Sequence, residues 1–308
     1  MQESNAAKKC CAIVGIVGRT NSGKSTLLNQ MIGEKISIVS PVVQTTRNTV
    51  RGMLTEKRGQ LVFLDTPGLH KAEGTLGTLL NRMARSSSAG VDILMIVFDG
   101  SKKPHLEDDG WMHRAAKSEQ QVLFVLNKSD KPHFYRDEFK DLWEKIKAET
   151  SSSAEVDWFE TSAVRKGGSD NLITYLYSVA PLSDEYLFPE DIITDYPRKM
   201  AIADVIREKF IKRLREELPH ELGILVDSID EKSNQWNISV IVYVNRESQK
   251  GIVIGPGGTM LKMVRSKAEP ELSDIFETKV KLELWVKVEK NWFKNFKLLE
   301  QMGYAGKL

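Results

Sequence analysis

The chain has 308 residues, 41% of them hydrophobic and 28% charged, with a formal net charge of +2. That length accommodates two domains with separate cores, and the composition is ordinary for a soluble globular protein. No apolar run approaches the ~20 residues of a membrane span, no secretory leader is visible, and the charge balance neither argues for nor excludes a nucleic-acid partner.

The polar start, Met1 to Lys9, is expected to fray. Cys11 to Val17 reads as a buried strand. Cys10 and Cys11 are the only cysteines and are adjacent, which excludes a disulfide framework and fits a reducing, cytoplasmic compartment. The five histidines are scattered without metal spacing. After the strand comes Gly18-Arg19-Thr20-Asn21-Ser22-Gly23-Lys24-Ser25, and then a helical stretch, Thr26 to Ile32. This is G-x-x-x-x-G-K-S in the strand–loop–helix setting of a phosphate loop. Backbone N–H groups from Gly18 and from Asn21 through Thr26 can curl around phosphate oxygens. The helix N-terminus adds partial positive charge, Lys24 adds a full one, and Ser25 offers a hydroxyl to Mg²⁺.

Gln44-Thr45-Thr46-Arg47 lies before the second strand. A threonine hydroxyl there can complete a Mg²⁺ shell only when a γ-phosphate is present, which is an order–disorder switch. Thr46 is the choice and Thr45 the alternative; the plainer reading is two β-branched residues entering a strand. Leu61 to Leu64 is a strand followed by Asp65-Thr66-Pro67-Gly68. D-x-x-G alone is weak, since composition yields about one match per chain. Its spacing from the phosphate loop allows one shared site, where Asp65 holds Mg²⁺ through water and the Gly68 N–H meets the γ-phosphate. The next residue is Leu69 rather than a glutamine able to orient water, so slow intrinsic hydrolysis is expected. The side-chain carbonyl of Asn21 is then a candidate ligand for K⁺, which would supply positive charge beside the phosphates.

Further along, Thr75 to Ala89 reads as a helix, Val91 to Phe98 as a strand and Leu106 to Lys117 as a helix, with an acidic turn Glu107-Asp108-Asp109 of no assigned use. The strand Gln121 to Leu126 leads into Asn127-Lys128-Ser129-Asp130. N-K-x-D chooses the base. The Asp130 carboxylate can accept from guanine N1–H and N2–H₂, a donor pair that adenine does not offer, and leaving it unpaired would be costly. After the helix Arg136 to Glu149 and the strand Val156 to Phe159, the small residues Thr161-Ser162-Ala163 can present backbone N–H to guanine O6, with Ser162 and Ala163 the candidates. Asn171 to Val179 closes the region as a helix. Alternation of this kind predicts an α/β, doubly wound sheet over residues 1–180, a GTP-binding domain with ligands at the carboxyl ends of its strands.

Pro181 to Pro197 is rich in proline, aspartate and aromatic residues and reads as a linker, residues 181–197. Residues 198–308 read as a small α+β domain. Lys199 to Glu217 is a charged helix ended by Pro219; Trp236 to Val244 and Lys279 to Val288 alternate strictly, and the second is expected to be a half-buried antiparallel strand. Trp285 lies on the charged face of that strand and is expected to pack on another element. Between the strands, Ile254-Gly255-Pro256-Gly257-Gly258 separates a short turn from a helix beginning near Thr259, with Lys250, Lys262 and Arg265 nearby. In KH modules such a loop, free of side chains, clamps the backbone of about four single-stranded nucleotides.

A guanine-nucleotide domain followed by one KH-type domain resembles the bacterial Era GTPase family, from about Ile13 to Tyr304. The specific matches are Gln44 through Arg47, Asp65-Thr66-Pro67-Gly68-Leu69-His70, Phe188-Pro189-Glu190-Asp191, Val253 through Gly258, and Leu282 through Val288. The chain departs from that family's usual phosphate loop at Thr20, where proline is common, and at Ser22, where a small apolar residue is common. The resemblance implies a monomeric GTPase that binds the 3′ end of small-subunit ribosomal RNA and assists 30S maturation, with GTP favouring the RNA-competent state. It also implies a cytoplasmic protein that associates in part with the inner face of the cell membrane. Competing readings are a phosphate-loop ATPase or kinase, which Asn127 through Asp130 oppose, a binding module that no longer hydrolyses, and a transporter's regulatory domain.

Overall fold

The computed structural model describes residues 8–37, 50–65, 90–214, 218 and 221–304. The expectations for Gln44 through Arg47, for Thr66 through His70, for the helix Thr75 to Ala89 and for Pro219 lie outside these residues. The chain divides into two compact units, with the change from the first to the second falling after Asp195.

Among the described residues of the first unit, six strands lie in the order β2-β3-β1-β4-β5-β6, with a short β7 on β1. They are β1 (Lys9–Val17), β2 (Val50–Glu56), β3 (Gly59–Asp65), β4 (Ile93–Asp99), β5 (Gln121–Asn127), β6 (Asp157–Glu160) and β7 (Leu182–Ser183). β2 and β7 run antiparallel to their neighbours; the other pairs are parallel. The helices are α1 (Lys24–Ile32), α2 (Leu106–Ala115), α3 (Arg136–Thr150) and α4 (Asp170–Val179). Alternation along the strands divides the core in two. Ala12, Val14, Ile16, Phe63 and Val97 pack with Leu27, Leu28, Leu172 and Leu176 of α1 and α4. Val17, Ile96, Phe98 and Phe124 pack with Trp111, Phe139 and Trp143 of α2 and α3. β1 and β4 are buried on both faces and accordingly read as unbroken apolar runs.

The aperiodic segment after α4 runs along this unit. Cys11 N–H donates to Pro181 O at 2.9 Å, Phe188 exchanges two bonds with the Gln60 amide at 2.8 and 3.0 Å, and Met53 N–H donates to Ile193 O at 2.8 Å. Pairing partners take the place of periodicity here, which is why no pattern shows in the sequence.

Among its described residues the second unit has three strands in the order β10-β9-β8: β8 (Gly223–Lys232), β9 (Gln235–Val244) and β10 (Lys279–Val288). Its helices are α5 (Arg198–Ile211), α6 (Glu247–Ile254), α7 (Thr259–Ile275) and α8 (Phe296–Gln301). Ile202, Ile206 and Phe210 of α5 and Val264, Ala268 and Leu272 of α7 cover one sheet face. Trp292, Leu298 and Leu299 pack on Tyr243 in a smaller cluster. Three expectations are corrected here. β10 pairs with β9 in parallel, not antiparallel, because α6 and α7 form a crossover between them; alternation reports two unlike faces and says nothing of direction. α5 stops at Ile211; after it the Arg213 N–H bonds three residues back to Phe210 O, a tighter turn, and the expected helical residues 215–217 lie outside the described residues. Trp285 stays 60% exposed instead of packing.

Candidate nucleotide site and nucleic-acid interface

β1 delivers the chain to the phosphate loop at its carboxyl end. At Gly18, φ is +140°, and a Cβ would lie 2.2 Å from Val97 O; at Gly23, φ is +99°, and a Cβ would lie 2.2 Å from Asn127 Nδ2. Both positions therefore require glycine. Gly23 caps α1 without a side-chain bond, and the first turn of α1 carries no acidic residue, so its N–H groups and partial positive charge remain available to an anion. Leu27, Leu28 and Met31 anchor the helix from the opposite face.

Lys24 is buried, with Nζ donating to Gly18 O and Arg19 O at 3.0 Å each. Burial pushes its pKa down to about 8, partly offset by the Asp65 and Glu107 carboxylates. Asp65, the last residue of β3, is fully buried. Its Oδ2 accepts from Ser25 Oγ at 2.7 Å and Ser37 Oγ at 2.9 Å, while among the described residues Oδ1 has no hydrogen-bond partner. Burial raises the Asp65 pKa against the pull of Lys24 and the two hydroxyls. A buried carboxylate oxygen without a donor, beside a serine hydroxyl, is a donor set suited to a hard divalent cation. Thr46 and Gly68 lie outside the described residues.

The ends of β4 and β5 adjoin the loop. Asn127 Nδ2 donates to Ser22 O at 2.9 Å, and Asn127 Oδ1 accepts from Lys128 N and Ala163 N at 2.8 and 3.1 Å. Lys128 Nζ donates to Asn21 O and to Asp99 Oδ2 at 2.7 Å each. Asp130 Oδ1 accepts from Ser162 Oγ at 2.7 Å, and this bond holds its carboxyl below the usual range. Thr26 lies in the first turn of α1. The Ala163 N–H thus braces Asn127, and the Ser162 hydroxyl braces Asp130.

Three participants carry no motif. Asp99 and Ser37 bond to motif residues as described. Asp108, at the start of α2, accepts the His105 N–H at 2.9 Å and lies 3.5 Å from the Arg19 guanidinium, giving a use to the acidic turn. For Asp99 a signal was present: it follows an apolar strand directly, as Asp65 and Asn127 do. Ser22, by contrast, is fully buried, and among the described residues its Oγ has no partner, at the position where the family commonly has a small apolar residue.

In the second unit, α6 ends at Gly255, whose N–H bonds to Gly251 O at 2.9 Å. Gly257 and Gly258 have φ of +58° and +76° with open space where a Cβ would stand. Pro256 and Gly257 are exposed, Ile254 and Lys250 half-buried, and Lys262 and Arg265 exposed on α7. Arg265 lies 3.6 Å from Glu269, whose carboxylate also accepts the β10 Leu282 N–H at 2.9 Å. Of the alternative basic residues at the end of α5, Arg207 and Lys209 are buried, with Lys209 paired to Glu271, whereas Lys212 and Arg213 are exposed, with Lys212 paired to Glu208.

A family model described as 50S ribosome-binding GTPase matches residues 13–128, and one described as KH domain matches residues 211–293. GTPase Era of Lacticaseibacillus paracasei is 36% identical over 297 residues, covering 96% of each chain. The chain belongs to the Era GTPase family. Era of Staphylococcus haemolyticus is likewise 36% identical, over 94% of this chain and 96% of its own. Among solved structures, Era in complex with MgGDPNP and nucleotides 1506–1542 of 16S ribosomal RNA superposes with a TM-score of 0.87 at 32% identity, covering 97% of this chain and all of that one. Aquifex aeolicus Era bound to GDP and AlF4⁻ gives 0.86 at 32% identity, covering 96% of this chain and 99% of its own. The Era family fold thus accounts for both units, the α/β phosphate-loop domain and the KH domain.

Proposed function

We propose that the chain hydrolyses GTP in its first unit and uses its second unit to hold the 3′ end of small-subunit ribosomal RNA, assisting 30S assembly and maturation. The observation that carries this reading is one polypeptide with a guanine-type nucleotide site and a Gly255–Gly258 loop open at Gly257 and Gly258, matched over 97% of its length by an Era bound to both kinds of ligand. In the nucleotide site the backbone of Gly18 and of Asn21 through Thr26 surrounds the phosphates. Lys24 supplies charge where it develops in the transition state. Asp130 reads the base, with Asn127, Lys128, Ser162 and Ala163 fixing the turns around it. Ser25 and Asp65, with Thr46, would hold Mg²⁺, whose charge stabilises the transferring phosphoryl oxygens. Gly68 would donate its N–H to the γ-phosphate.

In the RNA site the glycines and Pro256 bring the backbone close to phosphate groups, Ile254 offers an apolar contact to a base, and Lys250, Lys262 and Arg265 supply positive charge. Asn21 is proposed as a K⁺ ligand; turnover faster in K⁺ than in Na⁺, with the difference lost in Asn21→Ala, supports it, and equal rates in both salts refute it. A cytoplasmic monomer in peripheral contact with the membrane is part of the same proposal. Among the described residues no helix is long and apolar enough to cross a membrane. Crosslinking to cellular RNA, with GDP or a non-hydrolysable GTP analogue, tests the whole reading. Enrichment of the small-subunit 3′ end in the analogue state is expected; recovery of unrelated RNA, or none, overturns it.

A further inference from the structure

One buried carboxylate beside the nucleotide site belongs to none of the nucleotide motifs. Asp99 closes β4 and is only 2% exposed. The parallel β4–β5 register sets it opposite Asn127, and the Gly100 N–H bonds to Asn127 O at 2.9 Å, so the topology places it next to Lys128. Its Oδ1 accepts the Ser101 N–H at 3.2 Å and the Ser101 hydroxyl at 2.6 Å, which fixes the carboxylate plane. Its Oδ2 takes the Lys128 ammonium at 2.7 Å. Burial alone would raise the Asp99 pKa; the bonds from Lys128 and Ser101 outweigh it and hold the carboxyl below its ordinary range.

The same ammonium bridges onward to Asn21 O in the phosphate loop at 2.7 Å. Both residues at the ends of that second bond have left-handed backbones, Lys128 with φ +68° and Asn21 with φ +62°. Side-chain-bearing residues persist in that region only when their surroundings hold them there. A lysine side chain has a strongly hydrated head on a flexible stem, and this one is 27% exposed, so water competes for it. A fixed, buried counter-charge is what keeps the head on the loop.

We propose that Asp99 is a positioning residue for guanine nucleotide binding: it holds the Lys128 ammonium against the Asn21 carbonyl and so locks the base-reading turn to the phosphate loop. The proposal rests on the nucleotide-site reading given above. Because Asp99 acts before and during occupancy through a preformed bridge, its loss acts on nucleotide release more than on encounter.

The test is release of a fluorescent GDP from the full chain, followed by stopped flow in a double-mutant cycle. Asp99→Ala is expected to speed release about tenfold, and Lys128→Met at least as much. The double variant is expected to release no faster than Lys128→Met alone. Asp99→Asn, which keeps shape without charge, is expected to fall between wild type and Asp99→Ala. The preference for guanine over xanthine nucleotide is expected to be unchanged in all Asp99 variants, since Asp130 sets it. Multiplicative effects in the double variant, or wild-type release from Asp99→Asn, overturn the proposal. Failure of the wild type to bind GDP at all would instead overturn the nucleotide-site reading beneath it.

Discussion

Asp130→Asn tests base recognition at two atoms. The Asp130 carboxylate is half-buried, and Ser162 Oγ, 2.7 Å from Oδ1, holds its carboxyl below the usual range. An ionised carboxylate only accepts, so both oxygens can face the guanine donors N1–H and N2–H₂. Asparagine keeps the shape but turns one end into a donor. One charge-assisted bond becomes neutral, and the other is replaced by two opposed donors. At roughly 1.5–3 kcal/mol for a hydrogen bond to a charged group, the combined loss is about 3–4 kcal/mol. GTP affinity should then fall by about two to three orders of magnitude. Xanthine carries an oxygen in place of the guanine amine, so xanthosine triphosphate should recover most of that loss. Displacement of a fluorescent GDP by GTP, xanthosine triphosphate and ATP measures all three. Wild-type protein that takes ATP as readily as GTP, or a variant that still prefers GTP, would refute the assignment.

Lys24→Ala and Ser25→Ala should each abolish single-turnover GTP hydrolysis while leaving the circular-dichroism melt cooperative, because both polar heads serve ligand rather than the apolar core; near-normal turnover would remove the phosphate-loop argument. The Lys24 pKa of about 8 in the free protein has a sign that can be checked. Bound phosphates favour the ammonium, so at pH 8 GTP binding should take up on the order of half a proton, and affinity should decline as pH rises further. Calorimetry in two buffers of different ionisation heat reads this directly, and no uptake at pH 8 would contradict it. Ser22→Ala removes a buried hydroxyl that has no partner among the described residues, a group costing about 1 kcal/mol or more. The melting temperature should rise by about 2–4 °C; a fall would show that the hydroxyl has a use.

What could be read from the sequence was whatever is contiguous. The phosphate loop, Asp65 and Asn127 through Asp130 each follow an apolar strand, and parallel strands bring all their carboxyl ends to one side. Asp99 closes an apolar strand as Asp65 does, but only the β4–β5 pairing sets it beside Lys128; Ser37 and Asp108 are single residues outside the strands, and no local pattern marks them. β8 escaped notice because a register shift between Val226 and Ser228 breaks its alternation, so Ile224 and Val226 fall out of phase with Ile229. Alternation leaves the direction of β10 open, since it suits either pairing, and only the α6–α7 crossover decides it. The end of α5 was overrun because Arg213, Arg215, Glu216 and Glu217 are all good helix formers and the first breaker is Pro219.

The central claim is that the nucleotide state of the first unit governs RNA binding by the second. It is tested by the affinity of the full chain for an RNA fragment of the small-subunit 3′ end, measured with GDP and with a non-hydrolysable GTP analogue. The measurement is repeated with Pro256 and Gly257 both replaced by Asp, which puts negative charge where the RNA backbone must approach. The analogue is expected to tighten RNA binding about fivefold or more, within the usual range for coupled sites. The double variant is expected to lose RNA binding and keep GTP binding, and the wild-type affinity should fall steeply with salt. Equal RNA affinity in the two nucleotide states, or full RNA affinity in the double variant, would contradict the account.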